Sequence, residues 1–188
     1  MSRPQPRDLF VHPRDLLAEA VHDFGIHTVV DSCLALLEGT TDYDLLPVPL
    51  TYLAGAAARG QLRRGDLKRR GQDHWPRVWG ARGLRYAWLP YAEPGVVAGL
   101  GDPAWRVREM CAKVAKQRAI GVAAEALVPL LHDEFLRVTV AAVRALGCVG
   151  EHEHAERIAA LDPGVDPALV VAVDGAMRSL RVRLDRVL

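Results

Sequence analysis

Apolar residues along this chain recur every three to four positions from residue 13 onward, and glycine, proline and polar residues cut the pattern into helix-length pieces. Leu16, Leu17, Ala20, Val21 and Phe24 share one face, with Pro13 suited to a first helical turn and Gly25 as the stop. Val29, Val30, Cys33, Leu34 and Leu37 make a second face ending before Gly39, so two antiparallel helices joined by a tight turn are predicted. A third helix, led by Pro47 or Pro49, turns Leu50, Leu53, Ala54 and Ala57 inward. Gly60 to Gly71 is the most polar interval, and its glycines predict an exposed connection with at most one helical turn. Helix resumes at Trp75 and runs to Trp88, closed by Leu89-Pro90. Residues 1–11, with two prolines and little periodicity, read as a flexible arm. Val170 to Val173 is the only β-branched run, and its flanking pattern favours helix. The pattern predicts an all-α fold.

One phrase is written more than once. Asp102-Pro103-Ala104-Trp105-Arg106-Val107 returns 31 residues later as Asp133-Glu134-Phe135-Leu136-Arg137-Val138. Asp73-His74-Trp75-Pro76-Arg77-Val78 is an earlier copy, and Asp166-Pro167-Ala168-Leu169-Val170-Val171 a worn one, so the starts lie 29, 31 and 33 residues apart. Asp73, Asp102, Asp133 and Asp166 suit helix N-caps, and Pro103 and Pro167 suit first helical positions. Val107, Met110, Cys111 and Val114 then form a stripe, matched by Val138, Ala141, Ala142 and Ala145. Before the caps lie further stripes: Val96, Val97 and Leu100; Leu127, Leu130 and Leu131; Ile158 and Leu161. A helix pair cannot bury both faces alone, so neighbouring pairs must stack, and repeats of this period predict a solenoid.

Leu100-Gly101-Asp102-Pro103-Ala104-Trp105-Arg106-Val107-Arg108, and Asp133 to Val138 followed by Ala141-Ala142-Val143-Arg144-Ala145-Leu146-Gly147, resemble HEAT repeats, especially the short kind named after phycobilisome lyases. The resemblance covers residues 92–151 most fully and 73–91 and 152–188 in part. It implies an α-α superhelix of about five to six helix pairs, right-handed, with second helices lining a concave binding surface. It also implies that an Asp and the Arg six residues later pair between neighbouring repeats. Only Asp102 and Arg108 keep that spacing; Trp79, Thr139 and Ala172 stand at the other copies. Chromophore attachment does not follow, because function does not follow from fold. On this reading residues 12–188 form one continuous domain, with N-terminal pairs over 12–72, a basic connection at 59–72 and repeats over 73–188.

Charge changes the picture locally. The chain has 188 residues and a net charge of +1, which carries no global attraction to polyanions or membranes. Residues 59–88 nevertheless hold nine Lys/Arg against two Asp, whereas residues 1–58 hold three basic and eight acidic residues. Trp75, Trp79, Arg82 and Tyr86 fall at offsets 0, 4, 7 and 11, one helix face, with Arg77 beside them. Guanidinium groups beside aromatic rings can hold phosphates and stack bases. The alternative is that the rings pack on neighbouring helices while the arginines are solvated or dock on the acidic N-terminal third. Base-excision enzymes exist on HEAT-like scaffolds, but their chemistry needs a carboxylate among the aromatics, and residues 75–88 contain none. Trp105 and Arg108, in the best-kept copy, complete the candidate binding residues.

Other chemistry is thin. Cys33, Cys111 and Cys148 are far apart and in no CxxC spacing, so they read as small buried hydrophobes in a reducing compartment. His152-Glu153-His154, near Cys148, reads as a polar helix start rather than a metal tract; His22, Asp23 and His27 read as turn and cap residues, as does Asp42-Tyr43-Asp44. The three serines lie in no GxSxG, and no phosphate-binding glycine loop is present. The sequence thus predicts no catalytic residues, metal or cofactor, and a cytoplasmic protein without a membrane span or signal segment. The expected function is a scaffold binding a protein or peptide, with nucleic-acid binding through residues 59–86 as the alternative. Leu180, Val182, Leu184, Val187 and Leu188 leave an apolar C-terminal helix that suggests a homodimer.

Overall fold

Proline and glycine set several of the helix ends. The computed structural model describes residues 3–40, 42–62, 67, 70–162, 164 and 166–184. Among them all regular structure is helical, with eleven α-helices, three short 3-10 turns and no strand. The chain divides into two compact units, Met1–Gly95 and Val96–Leu188.

In the N-terminal unit α1 (Pro13–Phe24) starts on its proline, with the His12 ring accepting the Arg14 N–H at 3.1 Å. Gly25, at φ 80°, turns the chain directly into α2 (Ile26–Leu37), as the spacing predicts. The third expected helix is broken in two. α3 (Leu50–Ala54) stops at Gly55, whose φ of 61° is open to glycine, and α4 (Ala56–Leu62) restarts beyond it. The break shifts the helical phase, so Ala58 is buried and Ala57, expected inward, is exposed. α5 (Trp75–Leu84) is also shorter than predicted. Its end tightens into i→i+3 bonds from Arg85 to Arg82 and from Tyr86 to Gly83, which places Tyr86 and Trp88 beyond the helix.

α5 lies against α2 through two glycines. A Cβ on Gly80 would stand 2.8 Å from the Leu37 nitrogen and 2.9 Å from Leu36 Cβ, and one on Gly83 would run into Cys33 Sγ. Leu16, Leu17, Leu36, Tyr52, Leu53 and Leu84 fill the space between these helices and are fully buried. Each buried leucine contributes roughly 1.5–3 kcal/mol. The N-terminal arm is tied to this unit. Arg3 donates to the carbonyls of Asp44 and Leu46, Thr51 Oγ1 donates to Gln5, and Leu9 is buried.

Around the repeated phrase the backbone repeats bond for bond. α6 (Glu93–Gly99) leads to α7 (Trp105–Arg118); α8 (Ala124–Leu127), extended by a 3-10 turn over Pro129–His132, leads to α9 (Leu136–Val149). α7 and α9 begin 31 residues apart and each span 14 residues. The N–H of Val107 donates to Ala104 at 2.9 Å and that of Val138 to Phe135 at 2.8 Å; the pairs Asp102–Gly99 and Asp133–Leu130 both measure 3.3 Å. The aspartates sit differently from the N-cap expected. Asp102 Oδ1 accepts the Ala104 N–H at 2.7 Å and Asp133 Oδ1 the Phe135 N–H at 2.9 Å, so each closes an Asx turn two residues before the cap. Pro103 accordingly precedes the helix instead of opening it. His74 rather than Asp73 precedes α5. Asp166 caps as predicted, accepting from Ala168 and Leu169 with Pro167 opening α11 (Pro167–Leu184).

α10 (His152–Ala159) connects α9 to α11, and α7, α9 and α11 pack in succession in the C-terminal unit. No described helix is long and apolar enough to cross a membrane.

Candidate binding groove of the C-terminal unit

The side chains that join the two repeat copies are charged and used internally. Arg108 binds Asp133 of the following copy with both ends of its fork, Nε to Oδ2 at 2.7 Å and Nη2 to Oδ1 at 3.0 Å. Its Nη1 also donates to the carbonyls of Asp102 and Pro103, at 2.9 and 3.1 Å. Thr139, which takes the Arg108 place in the next copy, reaches back to the Asp133 carbonyl at 3.5 Å. Beside this pair, buried Glu109 accepts from Arg137 at 3.1 Å and from Lys113 at 2.8 Å, a second link between α7 and α9. Burial would push the Asp133 carboxyl up, but the Arg108 bonds, the Phe135 N–H and the guanidinium charge hold it below the ordinary range.

Trp105 is half-buried and also contacts the following copy. Phe135 stacks on it at 5.1 Å between centroids, and the Arg106 and Arg137 guanidinium groups lie 4.4 and 5.7 Å from its ring centroid. Trp105 and Arg108 therefore join repeat to repeat, although Phe135 and Leu136 beside them are exposed.

The basic aromatic face predicted in the N-terminal unit is not continuous. Trp79 is in the core at 3 % exposure, with Trp75 half-buried beside it at 6.5 Å. Arg82 turns inward, its Nη2 donating to the Leu53 carbonyl at 2.8 Å, while its buried Nε meets no acceptor among the described residues. Burial pulls the Arg82 pKa down. Tyr86 packs edge-on against His12 at 5.8 Å, and Arg77 donates to the Asp73 carbonyl at 3.4 Å. Arg59 and Arg70 are exposed; Arg63, Arg64, Lys68 and Arg69 fall outside the described residues.

The histidine and aspartate clusters are structural ties. Asp23 accepts from the Tyr52 hydroxyl at 2.7 Å and lies 2.9 Å from His22 Nδ1; these bonds lower its pKa. Tyr91 donates to Asp31 at 2.7 Å while its ring stacks on His27. Tyr43 and Asp44 help to line a cavity of about 170 Å³ beside Arg3 and Gln5. Glu125, Glu153 and His154 bring one donor atom each within 4.8 Å of one another, a grouping that invites comparison with a metal site. The buried His154 ring argues otherwise. Its Nδ1 accepts the Glu151 N–H at 2.9 Å in a capping box, so the neutral ring carries its proton on Nε2, 3.2 Å from Glu125 Oε1. That contact does not qualify as a hydrogen bond, but the proton leaves no lone pair on Nε2 for a metal. Cys33 and Cys111 are buried, which pushes the Cys33 thiol up to about 12 and the Cys111 thiol higher still.

An open feature of a different kind lies along α9 and α11. A groove of about 430 Å³ is lined by Arg144, Gly147 and Cys148 of α9, by Val171, Gly175, Ser179 and Arg183 of α11, and by Lys116 from the last turn of α7. Its floor exists because α9 and α11 approach closely: a Cβ on Gly147 would stand 2.6 Å from Ala176 Cα and 2.8 Å from its Cβ. Beside Gly175, by contrast, nothing lies within 4 Å of an added Cβ. The Cys148 thiol donates to the Lys116 carbonyl at 3.6 Å, and Ser179 Oγ donates to that of Gly175 at 2.9 Å. Arg183 Nη1 lies 3.3 Å from Glu151 Oε1; Lys116 and Arg144 have no ion pair among the described residues. Among the described residues no carboxylate, histidine or aromatic ring lines the groove.

None of these groove residues was singled out for binding from the sequence. The available signal was two glycines inside strong helical patterns, each costing about 1 kcal/mol relative to alanine unless packing or access requires it. No protein-family model matches the sequence, and a search of curated proteins finds no match to it.

Proposed function

We propose that the chain is a short HEAT-like helical solenoid acting as a non-catalytic binding module for a protein or peptide, with α7, α9 and α11 forming its contact face. The observation that carries this reading is the groove along α9 and α11, bordered by helices of successive 31-residue units. Stacked repeats expose such a face continuously, and grooves between their helices are where extended ligands lie. The groove residues also suit binding better than turnover. Ser179 gives its proton to a backbone carbonyl, and among the described residues no carboxylate or histidine lines the groove to serve as a general base. Nucleic-acid binding through residues 59–86 is less well supported, because Trp79 is buried and Arg82 turns inward.

Val171 and Val122 are both exposed, at 61 and 70 %, and only Val171 lines the groove. With a photoreactive benzoylphenylalanine at either position in a native lysate, a discrete adduct is expected from position 171 and suppressed by excess unlabelled protein. Position 122 should give none. Equal labelling from both positions, or no adduct at 171, would contradict a contact face on the groove side.

A further inference from the structure

We infer that the groove between α9 and α11 takes an acidic polypeptide segment, whose carboxylates are met by Lys116, Arg144 and Arg183. This deepens the binding-module reading and rests on it.

Three cations from three different helices border a groove that no carboxylate lines among the described residues. Lys116 and Arg144 have no ion pair among the described residues, and Arg183 has one exposed contact with Glu151. Like charges drawn together in this way repel one another, and an anionic ligand relieves that repulsion. Gly175, beside which nothing lies within 4 Å of an added Cβ, lets a polypeptide backbone approach closely, and Ser179 Oγ keeps acceptor capacity for a ligand N–H. A nucleic-acid strand is the poorer fit: no aromatic side chain lines the groove for base stacking, and the chain carries only +1 overall. At about 430 Å³ the groove accommodates a short stretch of single chain.

The test uses the full chain and a fluorescein-labelled octaglutamate peptide, followed by anisotropy at low salt. Octaglutamate should bind, octaglutamine should not, and affinity should fall as salt rises. The variant carrying Lys116→Glu and Arg144→Glu should lose roughly tenfold or more in affinity. Both positions are exposed, and an unchanged circular dichroism spectrum will show that the variant folds. Saturating octaglutamate should also slow alkylation of half-buried Cys148, which places the peptide in the groove. Absence of octaglutamate binding, binding indifferent to the two charge reversals, or equal binding of a single-stranded oligonucleotide through the same residues would each overturn the inference. If octaglutamate fails while the Val171 adduct persists, the module stands and its ligand is not acidic. If both fail, the module reading falls as well.

Discussion

Asp133→Ala is expected to cost the C-terminal unit about 3–5 kcal/mol, because it removes the bidentate partner of the largely buried Arg108 guanidinium and leaves it the exposed Glu134 carboxylate 3.8 Å away. The side chains of Arg108 and Asp133 are only 13 and 4 % exposed, and the pair is joined by two short parallel bonds. The substitution also removes the acceptor for the Phe135 N–H at the entrance to α9. Against a typical total of 5–15 kcal/mol, such a loss should be visible as early melting of this unit in a denaturant titration. Arg108→Ala should cost a similar amount, and the double variant clearly less than the sum, since neither charge is then left alone. Strict additivity would mean that the pair does not couple the repeats. Acid gives the same test a sign. The folded-state carboxyl titrates below its ordinary value of about 3.9, so its stabilisation is complete above that value and is lost as pH falls from there through the lower folded-state value. The stability gap between the parent and Asp133→Asn should therefore narrow below about pH 4.

Gly80→Ala is the second large expectation. Alanine is the better helix former by about 1 kcal/mol, so on propensity alone the change would stabilise α5. The added Cβ would meet the Cys33 carbonyl oxygen and the Leu37 nitrogen, backbone atoms of α2 that cannot rotate away. α2 and α5 must separate, and a net loss of about 1–3 kcal/mol or more is expected in thermal melts. A Tm at or above the parent's would show that these helices are not in close register. Gly147→Ala should be destabilising for the same reason, through Ala176.

How far the sequence speaks for the structure depends on the kind of interaction. The helices of the N-terminal unit up to Leu37 follow from Pro13, Gly25 and Gly39, because those residues constrain the backbone themselves. The 31-residue period was legible because Asp, Val and the apolar stripe recur at the same offsets, and the backbone bonds recur with them. Periodicity alone could not say that Asp102 and Asp133 close Asx turns before the caps, since both arrangements satisfy one orphan N–H with one carboxylate. Nor could it distinguish a ligand face from a core face: Trp79 stands at the same helical spacing in either case and is buried. The Gly55 break illustrates a different limit. One residue with positive φ rotated the following alanines, and the pattern before it could not carry across. The groove was least legible. Lys116 and Arg183 belong to no motif, Arg144 stands at a variable position of the repeat phrase, and the close approach of Gly147 to Ala176 brings α9 and α11 side by side.

Gly175→Phe tests the central claim most directly. Nothing lies within 4 Å of an added Cβ, the residue lies within the helical span of α11, and it lines the groove, so a ring there is expected to occupy it. The variant should melt no lower than the parent, since glycine in a helix interior is the poorer choice by several tenths of a kcal/mol. Measured in that folded variant, the Val171 photoadduct should disappear. An adduct of undiminished yield would show that the partner does not occupy the groove and would contradict the account.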